Sequence, residues 1–351
     1  MNSRILKLRG LMRQNGVGCL FVTSMSDIYY LTGFTGSTAF LFVTGTEALF
    51  LTDGRYEEQV KEELTEGIEA EIVKNYQESL QACAGKYKDI TVTYSCGLYE
   101  YEMIKDHAEK TGVDKNNMIS ALRMVKDESE LALIRDMYRA AHTGFVNAFP
   151  SFVSGVTEDF WAAELEKQMK LAGAKTPSFE TITASGYRGA MPHGAASRKV
   201  VEKNDAVVLD YGCRLSYCSD VTRLIIAGEN EKAEMIADIV YSALKKASDA
   251  VRPGAVCCDI DKIARHYIES KGFGKYFNHS LGHGVGIDVH EKPTLNSRDT
   301  TVLEPGMVVT IEPGIYLPGE LGVRLEDTVA VTDSGFENLA AVFDKYVYKS
   351  K

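Results

Sequence analysis

The sequence predicts an α+β chain of two domains, a smaller α/β domain first and then a larger domain that uses one structural plan twice. Three observations carry this expectation. At 351 residues the chain exceeds what a single hydrophobic core ordinarily organises. Short apolar runs alternate with helical patterns over its first third. Two later stretches, Val207-Val208-Leu209-Asp210 and Val308-Val309-Thr310-Ile311-Glu312, resemble each other, and each comes after helical sequence.

The elements follow in order. Ile5, Leu8, Leu11 and Met12 have helical spacing, and Gly16 and Gly18 close that helix. Strand-type runs are expected at residues 19–23, 40–43, 48–51 and 90–94, with helices over 56–64 and 100–110, the latter ending at Gly112. These make up an N-terminal domain of residues 1–122. Asp127 with Glu130 three residues on reads as a capping-box start to a long helix. Its face carries Leu131, Ile134, Tyr138, Ala141, Phe145 and Ala148, and Pro150 ends it. This helix opens the second domain, 123–351. A helix over 157–171 leads to strand-rich sequence at 200–227; helices over 232–251 and 259–271 lead to strand-rich sequence at 307–331.

Composition removes several classes of function. With 45% hydrophobic and 25% charged residues the chain is an ordinary globular one. A net charge of −10 argues against nucleic acid or an anionic membrane as partner, since both require a basic face. The N-terminal sequence lacks the apolar core of a secretion signal, and no run reaches the ~18 apolar residues of a membrane-spanning helix. Seven cysteines without a CxxC pair read as reduced thiols, which places the protein in the cytoplasm.

Four carboxylates stand out. Asp210 and Glu312 end β-branched runs, while Asp220 and Glu326 precede the apolar strands Leu224-Ile225-Ile226 and Val329-Ala330-Val331. Desolvating a carboxylate costs several kcal/mol unless it is paired, hydrogen-bonded or metal-bound. If the two halves face each other, two divalent cations would balance the four charges. His283, flanked by Gly282 and Gly284, supplies an imidazole, and the glycines are expected to let the backbone turn tightly there. Oxygen ligands with one imidazole suit manganese, cobalt, iron or zinc, and a pair of such ions activates water near neutral pH. His193 and His290 are free to hydrogen-bond a substrate. A single acid at a strand end is ordinarily a turn or cap residue, and a lone loop histidine is ordinarily structural. His107, His142 and His266 are read as structural for that reason. It is the conjunction of four acids and a glycine-flanked histidine that sets the other group apart.

At these residues the sequence resembles the pita-bread metallopeptidases, which include aminopeptidase P, prolidase and methionine aminopeptidase. The motifs are Asp210-Tyr-Gly, Ser219-Asp220-Val-Thr-Arg223, Gly282-His283-Gly-Val-Gly286, Thr310-Ile-Glu312-Pro-Gly-Ile-Tyr316 and Gly322-Val-Arg-Leu-Glu326-Asp-Thr328. The segment from Pro177 to His193 is similar as well, and Tyr30-Leu-Thr-Gly-Phe-Thr-Gly36 looks like the N-terminal domain of the proline-specific branch. The resemblance implies a creatinase/aminopeptidase-type domain with an internal pseudo-two-fold repeat. It implies Asp210, Asp220, His283, Glu312 and Glu326 as ligands of two metal ions, manganese or cobalt and sometimes zinc. Glu312 would also accept a proton from the attacking water. His193, His279 and His290 would line the substrate site, and Arg324 would orient Asp220 or the substrate. The implied activity is hydrolysis of the bond between an N-terminal residue and proline, by a homodimer acting as aminopeptidase or dipeptidase. The alternative is a pita-bread binding protein without catalysis, which replacement of a ligand would signal; none is replaced. Asp210 and Asp220 are ten apart where the family usually has eleven, so a tighter turn near Arg214-Leu215-Ser216 is expected. Thr294 stands where some small prolidases carry Arg, which tilts the reading toward aminopeptidase.

Overall fold

The computed structural model describes residues 2–350 and divides between Arg123 and Met124 into two compact units. In the first, α1 (Ser3–Gln14) begins where the Asn2 side chain accepts from the backbone N–H groups of Arg4 and Ile5, and it buries Ile5, Leu8 and Met12. The unit continues through β1 (Cys19–Val22), α2 (Met25–Thr32), β2 (Phe40–Thr44), β3 (Ala48–Asp53), α3 (Glu57–Glu63) and β4 (Glu69–Val73). It is completed by α4 (Tyr76–Tyr87), β5 (Asp89–Val92), α5 (Leu98–His107), β6 (Lys110–Val113) and α6 (Met118–Met124). The strands form one mixed sheet in the order β4-β3-β2-β1-β5-β6. Phe21, Phe42, Leu51, Ile90 and Ile104 belong to its core, and the Phe21 and Phe42 rings stack at 4.5 Å.

One expectation needs correction here, and one strand carries no sequence signal. The helix expected over 100–110 stops at His107, because Ala108 turns extended and Lys110–Val113 pairs in parallel with β5. The strand β4 was not anticipated: four of its five residues are exposed, so it shows no apolar alternation.

The second unit opens with α7 (Glu128–Ala148), whose capping box is complete: Asp127 accepts from Glu130 N–H, and the Glu130 side chain accepts from Asp127 N–H. α8 (Glu158–Leu171), capped by Thr157, packs against it. Then come β7 (Thr176–Pro177), β8 (Ile182–Ser185), β9 (Ala206–Tyr211), β10 (Cys213–Arg214) and β11 (Val221–Ala227). A second packed helix pair, α9 (Glu231–Ser248) and α10 (Cys257–Ser270), leads to β12 (Gly282–Gly284), β13 (Glu291–Leu295), β14 (Val308–Ile311), β15 (Gly314–Leu317), β16 (Leu321–Arg324) and β17 (Asp327–Val331). β18 (Phe336–Asn338) and β19 (Val347–Ser350) finish the chain. The sheets run β19-β11-β9-β8 and β13-β12-β14-β17-β18, with β15 and β16 forming a separate ribbon. Each half therefore sets a helix pair beside an antiparallel strand pair, β9 with β11 and β14 with β17. These strands are buried along their whole length. Among the described residues no helix is long and apolar enough to cross a membrane.

Candidate metal centre and active site

Strand register brings the acids together. Asp210 pairs with Thr222 across β9 and β11. Alternate residues of a strand share a face, so Asp220, two before Thr222, projects from the same face as Asp210. Between the two aspartates Ser219 N–H bonds Cys213 O at 2.9 Å and Arg214 bridges Cys218, leaving only Leu215 to Tyr217 at the bend. In the other half Ile311 pairs with Asp327 and Gly314 with Arg324. The alignment is the same in both ladders, which sets Glu312 across from Glu326.

Carboxylate oxygens of Asp210, Asp220 and Glu326 lie within 4.8 Å of one another, all three residues buried. His283 Nε2 stands 3.3 Å from Glu312 Oε1 and 3.6 Å from Asp220 Oδ2. Its Nδ1 lies 3.0 Å from Gly284 O, an obligate acceptor, so Nδ1 donates there; Nε2 donates to Glu312 while the ring is protonated, and loss of that proton frees its lone pair for a cation. The flanking glycines act differently from the expectation. Neither has a positive φ; instead a Cβ on Gly282 would sit 2.0 Å from Thr310 O, and one on Gly284 2.3 Å from Lys292 O. Close approach of β14 and β13, not a tight turn, requires them.

The residues present fit a metal centre. Asp210 Oδ1 and Glu326 Oε1 are buried without a hydrogen-bond partner, an arrangement that costs free energy unless a cation completes it. Electrostatics give the same reading. Burial first, then the charges of Glu326 and Asp210, push the Asp220 carboxyl well above its ordinary range. Glu326 is raised likewise by burial, Glu312 and Asp210, and Asp210 is raised by burial despite Arg324. Burial works against ionisation of Glu312 too, but the hydrogen bond and charge of His283, with His279 and Arg324, bring it to about 2. Burial would depress His283, yet Glu312 holds it above the ordinary value. So many buried carboxylates cannot all ionise without cations among them. Four carboxylates and an imidazole are a donor set for manganese, cobalt, iron or zinc.

Arg324 is buried, and its Nη2 donates to Asp210 Oδ2 at 2.5 Å; it orients Asp210 and not Asp220. Its Nη1 donates to Tyr316 Oη at 2.8 Å and to Pro192 O at 3.0 Å, and its Nε to Thr222 Oγ1 at 3.2 Å. Thr222 in turn donates to Glu326 Oε2 at 2.9 Å. His279 Nδ1 bonds Ser280 O at 2.7 Å, so its Nε2 accepts from the Tyr316 hydroxyl at 2.9 Å. Burial lowers His279 below its ordinary value, which keeps it neutral. The His290 ring lies 4.4 Å from that of His283, edge to face, and is lowered by burial and by that neighbour.

A cleft of about 450 Å³ opens over this centre. His193, Asp210, Asp220, His279, His283, His290, Glu312 and Arg324 line it, while Glu326 sits beneath among the clustered oxygens. Phe179, Ile182, Pro192 and Ala195 give it an apolar wall. Sequence reasoning had given no role to Tyr316, Thr222 or Thr310, whose hydroxyl accepts from His283 N–H at 3.0 Å. Thr222 and Thr310 each lie two residues from a singled-out acid, so the strand period would have found them, whereas Tyr316 lies on β15 in the separate ribbon and no period links it to Glu312.

Comparison with known proteins agrees with this geometry. Residues 132–333 match the model of metallopeptidase family M24, and residues 4–125 match the Creatinase/Prolidase N-terminal domain. The Xaa-Pro dipeptidase of Pyrococcus horikoshii is 39% identical, with 97% of each chain covered. The solved Xaa-Pro dipeptidase of Bacillus anthracis superposes with a TM-score of 0.94 at 34% identity, covering 99% of both chains. The X-Pro aminopeptidase of Thermotoga maritima does so at 0.89 and 33%, covering 96% of this chain and 99% of its own. With clustered buried carboxylates under a histidine-lined cleft and relatives matched over nearly its whole length, the chain belongs to metallopeptidase family M24, its proline-specific branch with a creatinase/prolidase-type N-terminal domain.

Proposed function

We propose that the protein is a metal-dependent exopeptidase that hydrolyses the bond between an N-terminal residue and proline. The observation that carries this reading is the set of buried, partnerless carboxylate oxygens at the floor of a cleft whose walls bear His193, His279 and His290. Asp210, Asp220, His283, Glu312 and Glu326 would hold two ions, manganese by preference, with cobalt or zinc as substitutes. Bound there, the ions supply Lewis acidity and a water acidified toward neutral pH. Glu312, ionised at neutral pH, accepts the proton released as water attacks the scissile carbonyl. His193 and His290 donate hydrogen bonds to the carbonyl oxygen as charge develops on it. His279, held neutral with a fixed tautomer, lines the substrate site. Arg324 keeps Asp210 in place. Presence of the whole ligand set argues against the non-catalytic alternative.

The finer reading is a preference for Xaa-Pro-Yaa peptides over Xaa-Pro dipeptides. Arg324 is the one arginine lining the cleft among the described residues, and Asp210, Tyr316 and Pro192 already hold it. Among the described residues no other arginine or lysine lines that wall to meet a dipeptide's carboxylate. We also take 1–122 and 123–351 as the domains, a homodimer as the assembly and the cytoplasm as the location, the last supported by seven unpaired thiols. The test is turnover of Xaa-Pro and Xaa-Pro-Yaa substrates by manganese-loaded protein. A higher kcat/KM on the tripeptide is expected; a dipeptide preference refutes the finer reading, and no manganese-stimulated cleavage of either refutes the function.

A further inference from the structure

Segment 185–197 reaches the cleft through Pro192, His193 and Ala195. The imidazole of His193 makes no hydrogen bond among the described residues, so its place depends on how the backbone of that segment is held. What sets the backbone is a residue outside the cleft. Glu158, in the first turn of α8, is 0% exposed. Its Oε1 accepts from Ser185 N–H and Ser185 Oγ, both at 2.8 Å. Its Oε2 accepts from Arg188 Nε at 3.0 Å and Ser197 Oγ at 2.6 Å. One carboxylate thus ties the first residue of the segment, its middle and its last. Arg188 extends the clamp by donating from Nη2 to Ala195 O at 2.6 Å. Within the segment Arg324 Nη1 donates to Pro192 O, beside His193.

Stability alone does not account for this arrangement. A buried ion pair is often no more stabilising than apolar residues of the same volume, whereas its directional bonds fix geometry. Catalytic groups must be held to about 0.5 Å, and a displacement near 1 Å costs roughly 10²-fold in rate. We propose that Glu158 is a positioning residue for the reaction: it clamps segment 185–197 so that His193 stands at the cleft wall. This rests on the reading of His193 given above.

The test compares Glu158→Gln in the wild-type and His193→Ala backgrounds. Gln keeps the volume but turns one acceptor into a donor facing Arg188 or Ser197. In the wild-type background kcat/KM on a Xaa-Pro-Yaa peptide should fall at least about tenfold. In the His193→Ala background it should fall less than about twofold, with bound metal unchanged. Equal loss in both backgrounds, or no loss in the first, overturns the proposal. Ser197→Ala, which removes a single clamp bond, should show the same background dependence at smaller size and serves if Glu158→Gln does not fold. Amide hydrogen exchange separates this claim from the peptidase reading. In metal-free protein Glu158→Gln should speed exchange across 185–199 and leave β9 and β11 protected. Unchanged exchange there overturns the clamp whatever the enzyme hydrolyses, whereas faster exchange with no peptidase activity in the wild type sinks the functional reading alone.

Discussion

Removing the metals should give a protein that loses stability as pH rises above 7. Asp210, Asp220 and Glu326 have raised carboxyl pKa values in the metal-free fold, the last two well above their ordinary ranges. A raised folded-state pKa means the fold retains a proton that the unfolded chain has already released. Stability from that proton is full below the unfolded value, 3.8 for aspartate and 4.5 for glutamate, and is lost as pH climbs through the folded value. His283, also raised, acts in the same direction. His142, His279 and His290 are lowered and act oppositely, but their effect is complete once pH passes their ordinary 6.5. Glu312, at about 2, contributes a change only between there and 4.5. Above pH 7 the slope therefore reports the raised groups. One retained proton gives about 1.4 kcal/mol per pH unit, and two give about 2.7, against a total stability of roughly 5–15 kcal/mol. The single tryptophan, Trp161, is fully buried and stacks on Phe152 at 4.7 Å, so its fluorescence follows unfolding of the catalytic unit in urea. Stability of chelated protein should fall between pH 7 and 8.5. Manganese at a hundred times its Kd should add about 2.7 kcal/mol per site and, by replacing the carboxylate protons, remove most of the fall, leaving only the share of the buried thiols, whose pKa values burial also raises. Metal-free stability that is flat or rising over this range would refute the argument.

Three substitutions test separate parts of the site. Glu312→Ala removes a ligand and the proposed proton acceptor, so activity should vanish while the Trp161 unfolding transition persists; activity within about tenfold of wild type refutes the assignment. Gly282→Ala puts a methyl 2.0 Å from Thr310 O and should cost about 1–3 kcal/mol, with weaker metal binding by calorimetry; unchanged stability would show that β14 yields there. Arg324→Met strips a buried partner from Asp210 and should destabilise metal-free protein by about 3–5 kcal/mol, more than it destabilises metal-loaded protein. Equal losses in the two states would show that Arg324 does not share the charge of Asp210 with the metals.

Much of the site was legible because acids inside β-branched runs contradict local composition, and only a site resolves the contradiction. Asp210 and Glu312 were visible for that reason, and the capping box at Asp127 announced α7. What escaped was whatever depends on a distant partner. β4 is an exposed edge strand without alternation, and β6 exists because β5 offers it a parallel edge. Arg324 could be placed near a ligand, but only the folded register showed that its guanidinium meets Asp210, 114 residues away. The glycines around His283 were noticed for the wrong reason, since sequence shows the absence of a side chain and not the carbonyl that would strike it. Glu158 carries no local signal at all: an acid at the start of a helix is what any helix favours.

The two acid-bearing strand pairs also bear on the order in which the molecule is made. Asp210 and Asp220 leave the ribosome more than a hundred residues before Glu326, and neither half alone supplies more than part of the donor set. Non-local contacts of this separation form late in folding. Ions are therefore expected to enter a scaffold already built rather than to nucleate the catalytic unit. A nascent chain that stops short of Glu326 is expected to bind them weakly, so full metal uptake would mark a chain whose two halves have met.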